Sequence, residues 1–264
     1  MEREDQLTRV RKMADQRKKE NGKVITVVSG KGGVGKTNLA LNLSIALSRM
    51  NKKVSLFDAD LHFSNVNLFT EGSEKGILPD VLAGSKSMKT LGVTEESGVT
   101  IFSSPSGVSN VDMFDEYVKD DFFREIYNHK LSDNFIVVDT GAGFSQTIVD
   151  FAQIADHLIV LITPEPASVS DGYAMVKVLN SIEPDREFKI VVNLVKSGKE
   201  AEEVFERFSL VVEHFLGAKI SYLGFISNDK NVREAVMLQK PVINFKPESA
   251  ASRCIKQIAG RFTE

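Results

Sequence analysis

Short apolar runs alternate with stretches of helical periodicity along most of the chain. The apolar runs lack the strict polar–apolar alternation of a half-exposed strand, as residues 135–138 and 158–162 show. Unbroken apolar runs of this length are typical of parallel strands that are buried on both faces. Strands are therefore predicted at residues 24–28, 53–58, 99–103, 134–139, 157–162, 187–194 and 220–227.

The segments between these runs place apolar residues three or four positions apart, which favours helices. Repeated strand–helix units imply right-handed crossovers and a parallel sheet between two layers of helices. The predicted fold class is therefore α/β, with a mostly parallel central sheet and helices on both faces. The predicted helices cover residues 36–49, 77–84, 120–130, 145–154, 168–181, 199–216 and 249–262, with a short turn near 231–237.

The beginning of the chain stands apart from this pattern. Residues 2–20 contain neither glycine nor proline and carry only a thin apolar stripe. The first 23 residues hold eight basic and five acidic side chains, a net charge of +3, so the remainder of this chain of net charge −3 carries −6. We predict an N-terminal arm, residues 1–22, followed by one domain, residues 23–264.

Composition narrows the class of protein. No apolar run in the 264 residues approaches the ~20 residues of a transmembrane helix. A single cysteine, Cys254, excludes an intramolecular disulfide framework and suits the reducing cytoplasm; it is expected to be a packed thiol. The acidic domain argues against nucleic acid as a partner. We expect a cytoplasmic protein without a signal peptide, since the N-terminus is highly charged.

A glycine-rich motif, Gly-Lys-Gly-Gly-Val-Gly-Lys-Thr at residues 30–37, connects the first predicted strand to the first predicted helix. In this context glycines allow backbone N–H groups to wrap a phosphate at a helix N-terminus. Lys36 would pair with the β- and γ-phosphates, and Thr37 would place its hydroxyl on Mg²⁺. An ordinary glycine turn is the alternative. The predicted nucleotide contacts are Gly30, Lys31, Gly32, Gly33, Val34, Gly35, Lys36, Thr37 and Asn38.

Carboxylates follow two of the predicted strands. Asp58 and Asp60 end the second strand, and Asp139 ends the strand at 134–139. Ligands of open α/β sheets bind at the carboxyl ends of the strands. Apolar residues followed by one aspartate are the Walker B arrangement, which delivers a carboxylate to the Mg²⁺ shell. Helix capping and solvated loops are the structural alternatives for these acids.

The motif at residues 30–37 resembles the deviant Walker A box of the MinD/ParA class of ATPases, because Lys31 follows its first glycine. Asp58-Ala59-Asp60 resembles the switch I box of the same class. The resemblance implies that Lys31 crosses a dimer interface to touch the partner's ATP. It also implies that Asp60 orients the attacking water and that Asp58 supports the metal shell. The implied catalytic residues are Lys31, Lys36 and Asp60, and the metal-binding residues are Thr37, Asp58 and Asp139.

Later segments resemble the base-binding part of this class. Val191-Val192-Asn193 ends a predicted strand, and residues 227–235 resemble the loop near the base and ribose. The resemblance implies that Asn193 reads the adenine edge. A buried or capping asparagine at a strand end is the structural alternative.

Two features resemble the flagellar branch of the class, the FlhG-type ATPases, also called FleN or YlxH. Thr140-Gly141 replaces the proline usual in MinD and ParA. Asp5, Gln6 and Arg11 match the activator motif Asp-Gln-Ala-x-x-Leu-Arg, from which the chain departs at two other positions. In that branch the arm stimulates the GTPase FlhF, a relative of signal-recognition-particle GTPases. A solvated basic helix is the structural alternative.

The C-terminal helical pattern carries Ile255, Ile258 and Phe262 on one side and is predicted to be the last core helix. A helix that lies on a membrane surface needs several basic residues, and Lys256 and Arg261 are too few for this role. Membrane contact therefore has little support and would be peripheral. Five apolar residues are expected to cover the core near Pro241: Val236, Leu238, Val242, Ile243 and Phe245.

Together these resemblances imply a MinD-like ATPase that binds Mg-ATP, forms a homodimer and hydrolyses ATP slowly. It would act as a spatial switch for flagellar number and placement, with FlhF and flagellar switch (C-ring) proteins as partners. Two alternatives stay open. One is a cell-division or DNA-partition ATPase of the same class, and the other is a nucleotide-gated adaptor with little hydrolysis.

Overall fold

A computed structural model describes residues 22–59, 92–102, 126 and 134–264. The strands in this part of the chain form one sheet. Their bounds are Lys23–Val28 (β1), Val54–Ala59 (β2), Val93–Thr94 (β3), Val99–Phe102 (β4), Phe135–Thr140 (β5), His157–Ile162 (β6), Glu187–Val195 (β7) and Lys219–Ser227 (β8).

The strand order is β3-β4-β2-β5-β1-β6-β7-β8. Only the short β3 runs antiparallel to its neighbour, and every other pair in this sheet is parallel. The first of the described strands, β1, thus lies in the middle of the sheet, between β5 and β6. Loops that leave β1, β5 and β6 at their carboxyl ends are therefore neighbours in space.

Helices cover both faces of the sheet. They are Lys36–Arg49 (α1), Gln146–Ile154 (α2), Pro166–Ile182 (α3), Gly198–Leu216 (α4), Lys230–Met237 (α5), Val242–Phe245 (α6) and Ala250–Gly260 (α7). One apolar core joins α1, α6 and α7 to the sheet, and a second joins α2, α3 and α4 to it. No helix among the described residues is both long and apolar enough to cross a lipid bilayer.

Local capping explains where several helices begin. Ser145, Ser197 and Ser249 each accept a hydrogen bond from a backbone N–H in the first turn of α2, α4 and α7, respectively. Asp229 does the same for α5. A side-chain oxygen at this position satisfies one of the N–H groups that the helix itself leaves unpaired. Ser249 is thus the N-cap residue of α7.

The predicted fold class is confirmed, and each of the seven predicted strands matches an observed strand to within one residue at either end. The core role of the last helix is also confirmed, and Cys254 is buried there as expected. The sequence did not predict β3 or α6. The helices predicted at 77–84 and 120–130 lie outside the described residues, apart from the buried, helical Ile126.

One part of the predicted core is wrong. Val236 and Leu238 are exposed, whereas Val242 and Ile243 are fully buried and Phe245 packs at the edge of the core. The buried residue at the end of α5 is Ala235. Successive helical positions point in different directions, so a helix that turns Ala235 to the core turns its next neighbours towards solvent.

Candidate functional site

The glycine-rich motif forms the loop between the end of β1 and the start of α1. Gly33 (φ 76°) and Gly35 (φ 98°) have left-handed backbones, a conformation that a Cβ atom disfavours. Gly30 is constrained by packing, since a Cβ atom there would lie 2.1 Å from the carbonyl oxygen of Asp171 in α3. The glycines therefore allow the loop to curl and allow α3 to pack directly against it.

Lys36 lies inside the fold, where it is only 7% exposed. Its Nζ donates to Ser29 Oγ at 2.9 Å, and Ser29 Oγ donates to the carbonyl oxygen of Lys31 at 2.7 Å. The ammonium group is thus held beside the backbone of the loop. A phosphate bound by the loop N–H groups would meet this buried positive charge directly.

Asn193 supports the same loop from β7. Its Nδ2 donates to the carbonyl oxygen of Val34 at 2.7 Å, and its Oδ1 accepts from the Leu194 N–H at 2.8 Å. A Cβ atom at Gly35 would lie 2.5 Å from Asn193 Nδ2. The nitrogen and the oxygen of this buried amide therefore both bind backbone groups, as expected for an asparagine with a structural role at the end of a strand. A contact between Asn193 and adenine stays a prediction.

Asp58 and Asp139 lie side by side at the ends of β2 and β5, where they are paired in register. They are 2% and 0% exposed. The neighbouring Thr140 donates its hydroxyl to the Val27 carbonyl oxygen at 2.8 Å, which ties the end of β5 to β1. Two buried carboxylates in adjacent positions are costly unless positive charge compensates them.

These groups fit a nucleotide and a magnesium ion. Magnesium takes oxygen ligands and is usually held by one or two carboxylates together with phosphate oxygens. Asp58, Asp139 and the half-buried Thr37 all lie at the carboxyl edge of the sheet or in the first turn of α1. The loop around Lys36 supplies the N–H groups and the cation that phosphates need.

Lys31, the second lysine of the motif, is exposed at the surface of the loop. Its Nζ lies 3.1 Å from Glu165 Oε2, at the start of α3. The two lysines of the motif therefore have different surroundings, since Lys36 is buried within the loop and Lys31 pairs with a carboxylate at the surface.

The segment after β5 has the features of a movable loop. Gly141 and Gly143 flank Ala142, and Gly143 has a left-handed backbone (φ 79°). Phe144 follows with half of its surface exposed, beside a groove of about 250 Å³ between α2 and α3. The glycines permit backbone rearrangement directly next to Asp139.

The loop after β8 is held by one carboxylate. Asp229 accepts hydrogen bonds from the backbone and side chain of Asn231 and from the Ala251 N–H. Burial raises the pKa of Asp229, but these hydrogen bonds together outweigh burial and hold the pKa below its ordinary value. The carboxylate therefore joins the start of α5 to the start of α7.

Several predicted residues cannot be placed. Asp60 and the arm residues Asp5, Gln6 and Arg11 lie outside the described residues. Conversely, sequence reasoning did not anticipate the contacts of Ser29 with the two motif lysines, or those of Glu165 and Asp171 with the loop. Ser29 directly precedes the motif, which was a usable signal. The other two lie more than 130 positions later, and nothing local marks their contacts.

Comparison with known proteins agrees with this geometry. Residues 25–242 match the family model described as the CobQ/CobB/MinD/ParA nucleotide binding domain. The antiactivator FleN of Pseudomonas aeruginosa is 33% identical over 238 residues, which cover 89% of this chain and 84% of FleN. The flagellum site-determining protein YlxH of Helicobacter pylori is 32% identical over 250 residues, covering 92% of this chain and 82% of YlxH.

The fold also matches solved structures. The septum site-determining protein MinD of Pyrococcus horikoshii, complexed with Mg-ADP, superposes with a TM-score of 0.73 at 24% identity. The match covers 92% of this chain and 96% of that one. At this identity the likeness establishes the fold alone.

Proposed function

The chain belongs to the CobQ/CobB/MinD/ParA nucleotide-binding family, and on that premise we propose that it is an ATPase switch that controls flagellar number and placement. Its relatives FleN and YlxH carry names that refer to antiactivation and to the site of the flagellum. The switch binds Mg-ATP, forms a homodimer in that state and hydrolyses ATP slowly. Its useful product is a change of conformation rather than a metabolite.

The observation that carries this proposal is the burial of Lys36 within a loop of left-handed glycines, at the same edge of the sheet as Asp58 and Asp139, which are neighbours in register. Burying three charged side chains at one edge of a sheet costs free energy. A bound nucleotide phosphate and its metal ion would compensate all three charges at once. A glycine turn with only a structural role does not require a buried lysine and two buried carboxylates in these places.

Each residue then has a distinct task. The N–H groups of residues 30–37 and the Lys36 ammonium bind the phosphates, and Thr37, Asp58 and Asp139 hold the metal ion. Magnesium, when bound, neutralises charge on the transferring phosphoryl group. Asp60 orients the water that attacks the γ-phosphate, and Lys31 reaches the nucleotide of the second subunit.

Hydrolysis changes the conformation of the segments that follow β2 and β5. Thr140 fixes the end of β5 to Val27, so movement begins only at Gly141. Loss of the γ-phosphate releases the segment that carries Phe144, which borders the groove between α2 and α3. Order–disorder changes of such loops are a common way for nucleotide hydrolysis to alter a surface.

The partners follow from the same proposal. The N-terminal arm stimulates the FlhF GTPase through Asp5, Gln6 and Arg11, and flagellar switch (C-ring) proteins read the ATP-dependent surface. The protein acts in the cytoplasm and at the inner face of the cell membrane or the cell pole, where membrane contact is peripheral.

The decisive experiment measures the molar mass in solution with Mg-ADP and with Mg-ATP. The wild type should be monomeric with ADP and dimerise transiently with ATP, whereas Asp60→Ala should form a lasting ATP dimer because hydrolysis fails. Lys36→Ala serves as the control that cannot hold the phosphates and should stay monomeric. A mass that does not depend on the nucleotide would contradict the switch and favour an adaptor.

A second experiment tests the arm. A peptide of residues 1–20 should raise the GTP turnover of FlhF, and the same peptide with Gln6→Ala should raise it less. A flat GTPase rate at saturating peptide would remove the activator role while leaving the ATPase switch intact.

A further inference from the structure

The contact between Lys31 and Glu165 joins two backbones that are both held in place. Ser29 Oγ donates to the Lys31 carbonyl oxygen at 2.7 Å, and α3 packs against Gly30 through Asp171. The 3.1 Å distance between Lys31 Nζ and Glu165 Oε2 is thus a contact between two positioned side chains, which are 43% and 66% exposed.

Glu165 is restrained by its neighbours as well. It lies between Pro164 and Pro166 and is the N-cap residue of α3, with φ −63° and ψ 129°. A following proline favours this extended backbone, and a proline at the first helical position starts the helix. The Glu165 side chain makes no capping hydrogen bond to α3. Its carboxylate binds the Lys31 ammonium instead of the helix that it precedes.

We propose that Glu165 is a positioning residue that holds Lys31 on its own subunit and sets the ATP level at which two subunits join. This inference rests on the proposed function, in which Lys31 must reach the phosphates of the second subunit. One ammonium group cannot serve both anions fully, so the carboxylate competes with the phosphates. Because the pair is exposed, the competition is weak and readily reversed.

The test uses Asp60→Ala as the reference protein, so that hydrolysis does not deplete the dimer. The measured quantity is the Mg-ATP concentration that gives half-maximal dimer at a fixed protein concentration. Adding Glu165→Gln should lower this concentration about twofold to fivefold, since one exposed pair is released for each ATP-bound subunit that joins the dimer. Binding of a fluorescent ATP analogue to the monomer, measured at low protein concentration, should not change.

Two variants show whether the contact with Lys31 or the negative charge of Glu165 alone sets the ATP requirement. Glu165→Asp keeps the negative charge but is one methylene too short for the 3.1 Å contact, so it should also lower the ATP requirement. Asp185→Asn removes the same charge and breaks an exposed pair with Lys219 of similar length, 3.2 Å, at the opposite edge of the sheet. This matched control should leave the ATP requirement unchanged.

The outcomes are distinguishable. A reference protein that never forms an ATP dimer overturns the proposed function and this inference together. A normal ATP dimer whose ATP requirement is unchanged or raised by Glu165→Gln overturns only the inference. A requirement lowered by Glu165→Gln but not by Glu165→Asp also overturns it, because general charge would then explain the effect.

Discussion

The two edges of the sheet are built from the same strands, but they differ in how deeply their charged side chains are buried. At the carboxyl edge, Lys36, Asp58 and Asp139 are almost completely buried. At the amino edge, Lys219 and Asp185 form an ion pair that is exposed to solvent. Buried charges cost far more than exposed pairs contribute. The carboxyl edge therefore carries a cost in stability that the amino edge avoids, which is expected where a protein binds a charged ligand.

Removing the buried cation should produce the largest effect. Lys36→Met should reduce ATP affinity by about 100-fold or more, because charge-assisted hydrogen bonds to phosphate are lost. The same change should also lower the free energy of unfolding of the nucleotide-free protein, because it removes a buried positive charge from the edge of the sheet that holds the buried Asp58 and Asp139. Calorimetric titration and denaturant unfolding measure the two quantities.

The matched control for that comparison is Lys219→Met, which removes an exposed lysine of the amino edge. It should change neither ATP affinity nor stability measurably. An ATP affinity that Lys36→Met leaves unchanged would contradict the view that this buried charge serves nucleotide binding.

The close packing of α3 on the loop should be the next most sensitive feature. Gly30→Ala places a methyl group 2.1 Å from the Asp171 carbonyl oxygen, and overpacking against backbone should lower the free energy of unfolding by about 2–4 kcal/mol. Denaturant unfolding measures this change. Gly260→Ala, where an added Cβ meets nothing within 4 Å, should be neutral or stabilising by up to about 1 kcal/mol. Equal effects at both glycines would contradict the packing argument.

The amino edge should make the folded protein less stable in acid. Burial, reinforced by the positive charges of Lys23 and Lys189, lowers the pKa of His157 from 6.5 to about 4. The folded state therefore binds fewer protons than the unfolded state between these two values, so stability should fall as the pH drops from 6.5 towards 4. Allowing for partial exposure, the loss should be about 1–2 kcal/mol.

Denaturant unfolding at several pH values checks this expectation. His157→Asn should flatten the curve over that pH interval, whereas His214→Asn, on the exposed side of α4, should not. A wild-type slope that persists in His157→Asn would contradict the assignment to this histidine.

The smallest effect should come from the exposed pairs of the amino edge. Asp185→Asn should leave the melting temperature unchanged within error, because solvent and salt screen such pairs. A clear drop in the melting temperature at low salt that vanishes at high salt would show that these pairs contribute more than the comparison assumes.

Much of the fold could be predicted because its signals are local. Buried parallel strands need unbroken apolar runs, so β5 and β6 were visible in the sequence. The glycine motif was visible for the same reason, since each glycine serves the backbone of its own loop. The two-residue β3 and the four-residue α6 are too short to leave a periodic signal, and α5 was misjudged because several of its apolar residues face solvent.

The contacts that define the site were harder to foresee. Asn193 reaches the Val34 carbonyl oxygen across 159 positions, and Glu165 reaches Lys31 across 134. Such distances along the chain leave no trace in local patterns, because only the strand order brings β1, β6 and β7 together.

The amino-acid sequence alone was sufficient for the fold class, for the order of strands and helices along the described chain and for the position of the glycine-rich loop between β1 and α1. All of these depend on residues that are close together along the chain. Folding in three dimensions was needed to show that Lys36 is buried, that Asp58 lies beside Asp139 and that Lys31 pairs with Glu165. These facts depend on which strands become neighbours, and strand order is set by the packing of the whole domain.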